Sequence, residues 1–143
     1  MDDLELARLC GEHMWTRDKA SRTFGIEIDI PRAGEAIAVM AVRDNMVNSF
    51  DVCHGGILVA LADTAFAFAC NARNEISVAA SVQAEFLRPA RRGDVLTAKS
   101  VEEHRGRKSG YYTVEIRNQD DELVTLFRGR SVATGRPLLP PTK

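Results

Sequence analysis

The segment from His54 to Asn71, HGGILVALADTAFAFACN, constrains the fold more than any other part of the chain. It is rich in alanine and leucine, so helix is its natural state. Gly55 and Gly56 open it, and Asn71 with Asn74 can close it. Large apolar residues (Ile57, Leu58, Leu61, Phe66 and Phe68) fall on nearly every side. A helix that is apolar all round must be wrapped by protein. The run from Ile57 to Cys70 is shorter than the roughly 18 residues a membrane span requires, and it carries Asp63 and Thr64. With 143 residues in the chain, the wrapping is expected to come from one ordinary domain covering 1–143.

The flanking segments read as the wrapping. An amphipathic helix is expected from about Asp3 to Lys19. Phe24 to Ile30 alternates apolar and polar like a half-buried strand, and Pro31 to Gly34 reads as a turn. Ala36 to Val42 is apolar enough for a strand covered on both faces, and Arg43 to Val52 is loop-like. Four strand-like segments follow the central helix: Ser77 to Leu87, Val95 to Glu103, Gly110 to Asn118 and Leu123 to Thr134. Turn signals at Pro89, Arg92-Gly93-Asp94, Arg105-Gly106 and Gln119-Asp120-Asp121 separate them. The proline-rich tail from 136 to 143 is expected to fray. One antiparallel sheet curled around one apolar helix satisfies the burial needs of both, which makes this an α+β domain.

Charge and targeting signals narrow the class. The 19 basic and 20 acidic side chains nearly cancel, so nothing advertises nucleic acid or an anionic membrane. The N-terminus begins acidic and shows no apolar secretory core. Cys10, Cys53 and Cys70 are odd in number and lack framework spacing, so free thiols in a reducing cytoplasm are the simplest account. Cys53 abuts His54, but neighbours on an extended segment point to opposite faces and would not pair as nucleophile and base.

Asp63 is the informative polar residue. It sits mid-helix among Leu61, Ala62, Ala65 and Phe66, with no Lys or Arg three or four residues away. Burying a carboxylate is costly unless it is paired. Asp63 therefore either reaches solvent through a gap, makes a structural hydrogen bond, or is kept for base or nucleophile chemistry. At the helix start, Gly55 and Gly56 either make a tight turn or present unpaired N–H groups to a carbonyl oxygen. Gly55 and Asp63 are eight residues apart, about 12 Å along a helix. If both act on one carbonyl, two subunits must supply them, as in an antiparallel homodimer.

The run from His54 to Asn71 closely resembles the signature of the phenylacetate-degradation (PaaI) branch of hotdog-fold acyl-CoA thioesterases. FLRPARRGDVLTA and YYTVEIRNQDDELVTLFRG are similar to that family's strands, and the likeness spans about Phe24 to Ser131. The resemblance implies a hotdog fold, in which an antiparallel sheet wraps a long central helix. It implies a dimer that pairs into a homotetramer, and hydrolysis of acyl-CoA thioesters without metal or cofactor. It maps the carbonyl-polarising amide onto Gly55 and the carboxylate onto Asp63, from opposite subunits. Asn48 matches a polar residue near the thioester or water, His54 a residue that orients the loop, and Ser81 a hydroxyl near the attacking water. The family favours aryl substrates such as phenylacetyl-CoA or hydroxyphenylacetyl-CoA, with medium-chain fatty acyl-CoA as the competitor.

CoA brings phosphates, which basic side chains should meet. Arg88, Arg91 and Arg92 flank the Pro89 turn, and Arg105, Arg107 and Lys108 occupy the next hairpin, so a patch across neighbouring turns is expected. Two other functions fit the same scaffold: a hotdog hydratase or dehydratase, and a non-catalytic acyl-CoA-binding module. The first relies on an Asp and a His about five apart on a loop, which this chain lacks.

Overall fold

The computed structural model describes residues 1–142. Helices α1 (Asp3–Trp15) and α2 (Lys19–Thr23) precede strands β1 (Glu27–Arg32) and β2 (Glu35–Ala41). A 3₁₀ turn (Asp44–Met46) leads into α3 (Gly55–Cys70). Strands β3 (Ser77–Phe86), β4 (Val95–Arg105), β5 (Ser109–Arg117) and β6 (Leu123–Ala133) follow. The strands form one antiparallel sheet in the order β1-β2-β4-β5-β6-β3, with α3 packed across one face. This is the expected hotdog arrangement.

Local chemistry explains where the elements begin and end. Asp2 caps α1 through a reciprocal pair with Glu5, at 2.8 and 2.9 Å. The single N-terminal helix expected to reach Lys19 breaks after Trp15, because Asp18 caps a second helix by accepting the Ser21 N–H at 2.9 Å. Strand β1 starts and ends later than expected and includes Pro31. Proline is tolerated there because β1 is an edge strand. The reversal falls instead at Ala33-Gly34, where Gly34 has φ +83°. Arg136 and Leu139, in the tail expected to fray, are tied down. The Arg136 carbonyl accepts the Ile76 N–H at 2.8 Å, and the Leu139 N–H donates to Asn74 Oδ1 at 2.7 Å.

The stretch between β3 and β4 does not make them neighbours. It carries the chain past the start of α3, where the Cys53 N–H donates to the Ala90 carbonyl at 2.8 Å. As a result β3 lies at the far edge, paired only to β6.

Residues opposite one another across strands share a face. One inward row runs Ala38, Ala98, Ile116, Thr125, Phe86, and the next runs Ala36, Ser100, Val114, Phe127, Ala84. Small residues recur on the sheet because the large ones come from α3: Leu58, Leu61, Phe66 and Phe68 are all buried. The closest approach is at Gly129, where a Cβ would stand 2.9 Å from the Phe66 ring. That ring also meets Tyr112 edge-on at 5.3 Å. Strand β2 was expected to be covered on both faces, but Ala36, Ala38 and Met40 are buried while Ile37 and Val39 are half-buried.

Gly129→Ala should destabilise the protein by about 1–3 kcal/mol through overpacking against Phe66. The Thr125 hydroxyl is fully buried with no hydrogen-bond partner among the described residues, so Thr125→Val should be neutral or stabilising by up to about 1 kcal/mol. Urea denaturation of both variants measures the contrast.

Candidate active site

The loop before α3 is held by several hydrogen bonds and ion pairs. Asn48 Oδ1 accepts the N–H of Phe50 at 2.9 Å and, more weakly, of Val52 at 3.4 Å. The Asn48 N–H donates to the Val52 carbonyl at 2.8 Å, and Asp51 sits at φ +63°. Arg92 clamps this turn from the side, 3.0 Å from Asp44 and 2.5 Å from Asp51. The His54 N–H donates to the Met46 carbonyl at 2.8 Å, and its ring Nδ1 accepts the Gly56 N–H at 2.9 Å. His54 is therefore the N-cap of α3, with its ring in the place where Ser or Asp usually serves.

This capping leaves one amide over. The Gly55 N–H, at the first position of α3, has no acceptor among the described residues. It lies at the positive end of the helix dipole. The Phe86 ring, at the end of β3, stands 3.3 Å from where a Gly55 Cβ would be. Gly55 and Phe86 line an apolar groove of about 330 Å³ with Val52, Leu58, Leu87 and Ala90. The start of α3 thus offers one free donor beside an apolar groove, which suits a carbonyl attached to a hydrophobic group.

Asp63 is half-buried on α3, and burial raises its carboxyl above the usual carboxylate range. No cation offsets that burial among the described residues. The helix was expected to be wrapped all round, but one stripe faces outward. Gly56 is exposed, and Val59, Ala60, Asp63 and Ala67 are only half-buried. The sheet of one chain covers α3 on one side, and α1 and α2 flank another. Thr64 Oγ1 meets Ser21 Oγ at 3.3 Å on the α2 side, and Asp63 lies about 100° round the helix from it, on the outward stripe.

The remaining expected residues divide by place. Asn48, His54 and Gly55 come together at the start of α3. Ser81 is exposed on β3, opposite Arg130. Its neighbour Val82 faces Gly129 on the α3 side, so Ser81 is turned away from α3 and lines a groove with Gln83, Tyr111 and Arg128. The single basic patch expected across neighbouring turns is split. Consecutive turns of an antiparallel sheet lie at opposite ends of its strands. Arg88, Arg91 and Arg92 accordingly sit near Gly55, whereas Arg105, Arg107 and Lys108 sit beside Cys70 at the other end of α3. Arg88 is paired with Glu122 and Arg92 with two aspartates, so Arg91 is the cation without an ion pair at the Gly55 end among the described residues.

Cys53 is buried and His54 exposed, as alternation along an extended segment requires. Burial pushes the Cys53 thiol up to about 11, which keeps it protonated and unreactive at neutral pH.

Sequence reasoning missed two features. Phe86 shares the inward alternation of Val82 and Ala84, which signals its face but not its contact with Gly55. Arg73 grips Glu102 with two nitrogens, at 2.6 and 2.9 Å, and the Tyr112 hydroxyl donates to the same carboxylate at 2.9 Å. Burial alone would raise Glu102, but these partners hold it below the usual carboxylate range. The network fastens the end of α3 to β4 and β5, and no local pattern announces it.

Comparison with known proteins gives a consistent picture. The family model described as Thioesterase superfamily matches residues 50–125. The acyl-coenzyme A thioesterase PaaI of Escherichia coli is 43% identical over 122 residues, covering 85% of this chain and 87% of that protein. The solved structure of the E. coli PaaI protein from the phenylacetic acid degradation operon aligns with TM-score 0.93 and 39% identity, over 95% of this chain and 99% of the other. A hypothetical thioesterase protein of Streptococcus pneumoniae solved with coenzyme A aligns with TM-score 0.75 and 26% identity, over 78% and 90% of the two chains.

The strain at Asp63 has a measurable consequence. A carboxyl raised by burial favours its neutral form in the folded state, so the folded protein loses stability as pH rises through that raised value. Asp63→Asn removes the charge at constant shape. It should be more stable than the parent at pH 7, with the gap closing as pH falls below the raised value. Denaturant midpoints at pH 4 and pH 7 check this.

Proposed function

The chain belongs to the thioesterase superfamily, and on that premise we propose that it hydrolyses acyl-CoA thioesters to the free acid and CoA, with aryl acyl groups such as phenylacetyl or hydroxyphenylacetyl as its substrates. The observation that carries the reading is the pairing of a free Gly55 N–H at the helix start with a half-buried, unneutralised carboxylate on the same helix. Similarity to a PaaI protein from a phenylacetic acid degradation operon supports the aryl preference.

The thioester carbonyl oxygen accepts the Gly55 N–H, which stabilises the negative charge that develops there. Asp63 supplies the other half of the reaction. Either its carboxylate attacks the carbonyl carbon and expels the CoA thiolate, leaving an anhydride that water cleaves, or it takes a proton from the water that attacks. The elevated carboxyl makes Asp63 a better base than an exposed aspartate. His54 positions the Gly55 amide by holding Gly56, and Asn48 shapes the turn that delivers both. Ser81, turned away from α3, is assigned no step. The Arg88–Arg92 turn receives the CoA phosphates, with Arg91 as the available cation.

The eight-residue spacing of Gly55 and Asp63, about 12 Å along α3, requires two chains. The edge strand β3 offers them a seam. Its backbone is unpaired on one side, and Val78, Val82 and Phe86 are 52%, 46% and 54% exposed. Two β3 strands paired antiparallel about a two-fold axis continue the sheet across both chains. The outward stripes of the two α3 helices then face each other, and the Gly55 of one protomer approaches the partner's Asp63. Two such dimers make a homotetramer.

Thiol release from a panel of aryl and aliphatic acyl-CoAs tests the activity. The aryl members should be cleaved fastest, and Asp63→Ala should lose about 10²–10⁴-fold in rate while remaining folded. Cleavage by Asp63→Ala at the parent rate would remove the carboxylate from the mechanism, and binding without turnover by the parent would leave only a binding module. Val82→Lys, which places a charge in the seam, should shift the protein to monomer in light scattering and abolish activity together. A fully active monomer would refute the shared site.

A further inference from the structure

Among the described residues, two buried side-chain hydroxyls have no hydrogen-bond partner, those of Ser100 and Thr125, and both residues are 0% exposed. Leaving a buried hydroxyl unpaired costs stability, so each calls for a reason. Ser100 stands on β4 between Ala36 and Val114, in the middle of the sheet. Thr125 stands on β6 between Ile116 and Phe86, in the inward row nearest the start of α3. Its side chain is directly beside that of Phe86, with about 5 Å between their Cβ atoms. The Phe86 ring reaches the start of α3, 3.3 Å from where a Gly55 Cβ would be, and walls the apolar groove with Val52, Leu58 and Leu87. Thr125 is therefore the next side chain inward from the groove wall on the Phe86 side. Leu58 and Cys53 hold the rest of that wall at 4% exposure, whereas Phe86 is 54% exposed and is the part free to turn. Turning it uncovers one polar atom at the back of an apolar pocket. A few placed polar groups in such a pocket set what it accepts.

We propose that Thr125 is a specificity-determining residue, whose hydroxyl pairs with a ring hydroxyl of the acyl group and makes the site prefer 4-hydroxyphenylacetyl to phenylacetyl. The inference rests on the acyl-CoA reading above and narrows it. With the thioester carbonyl on the Gly55 N–H, the acyl group enters the groove that begins at Gly55. Its ring displaces the Phe86 ring. The para position is the ring atom farthest from the carbonyl, so a hydroxyl there reaches deepest, to Thr125. A threonine hydroxyl both donates and accepts, so it can pair with a phenol in either sense. An unsubstituted ring leaves Thr125 as unpaired as it is in the free protein. The discrimination comes from satisfying a polar atom that is otherwise orphaned, which separates ligands better than apolar fit alone. It also gives a reason for a hydroxyl that stability alone disfavours.

The CoA thioesters of phenylacetate and 4-hydroxyphenylacetate provide the test. The parent should prefer the hydroxylated substrate about tenfold in kcat/KM, the effect of one neutral hydrogen bond. Thr125→Val keeps the side chain's shape without the hydroxyl, and the ratio of the two kcat/KM values should fall to about one. Thr125→Ser retains the hydroxyl and should keep most of the preference. Ser100→Ala removes the other unpaired hydroxyl and should leave the ratio at its parental value, which separates recognition from a change in packing. A parent that cleaves both substrates equally, or favours phenylacetyl-CoA, would overturn the assignment. So would a Thr125→Val variant that slows both substrates alike and keeps the parental ratio, the result of a purely structural role. A parent that cleaves neither thioester would instead overturn the hydrolase reading, and the assignment with it.

Discussion

The packing of α3 against a sheet lined with small residues is the constraint from which the rest of the structure follows. Leu58, Leu61, Phe66 and Phe68 need a wall with room for them, and Ala36, Ala38, Ala98, Ala84 and Gly129 provide it. Gly129 is the limiting case, since no Cβ fits beneath the Phe66 ring. The sheet curls to follow the helix, and α1 and α2 close one flank through Trp15 against Phe68 and Ser21 against Thr64. The opposite flank stays open because β3 has no further strand beside it.

The proposed chemistry uses that opening. A carboxylate in the middle of a helix facing a sheet would be buried without a partner. Asp63 is only half-buried, and that burial raises its carboxyl above the usual carboxylate range. At the start of the same helix, His54 satisfies Gly56 and leaves Gly55 free, so the dipole's positive end carries a single directed donor. Both groups are set by one helix, and in the proposed mechanism each is completed by a second chain. Val78, Val82 and Phe86 leave an exposed apolar face on β3.

Charge placement follows the same logic of ends. An antiparallel sheet sends successive turns to opposite ends, so two basic turns close in sequence cannot form one patch in one chain. Part of the basic content is structural. Arg92 holds the Asn48 turn through Asp44 and Asp51, and Arg73 fastens the end of α3 through Glu102. Arg91, Arg107 and Lys108 make no ion pair among the described residues.

Periodicity and turn chemistry were enough to place α3, the six strands and the hairpins within a few residues, because each depends on local preferences: alanine and leucine for helix, alternation for strands, glycine and aspartate for turns. The PaaI-like helix motif marked Gly55 and Asp63 for the same local reason, a residue type at a fixed spacing. Other features depend on contacts between segments distant in sequence. These include the break before Asp18, the crossing that sends β3 to the sheet edge, the turning of Ser81 away from α3, the Phe86 ring over Gly55, and the separation of Arg91 from Arg107. Spacing along a chain specifies which side chains can share a face, and that much the sequence determined by itself. Which faces meet, and which are left open for a second chain, is set by the packing of large side chains into small-residue walls, and only the tertiary structure decided it.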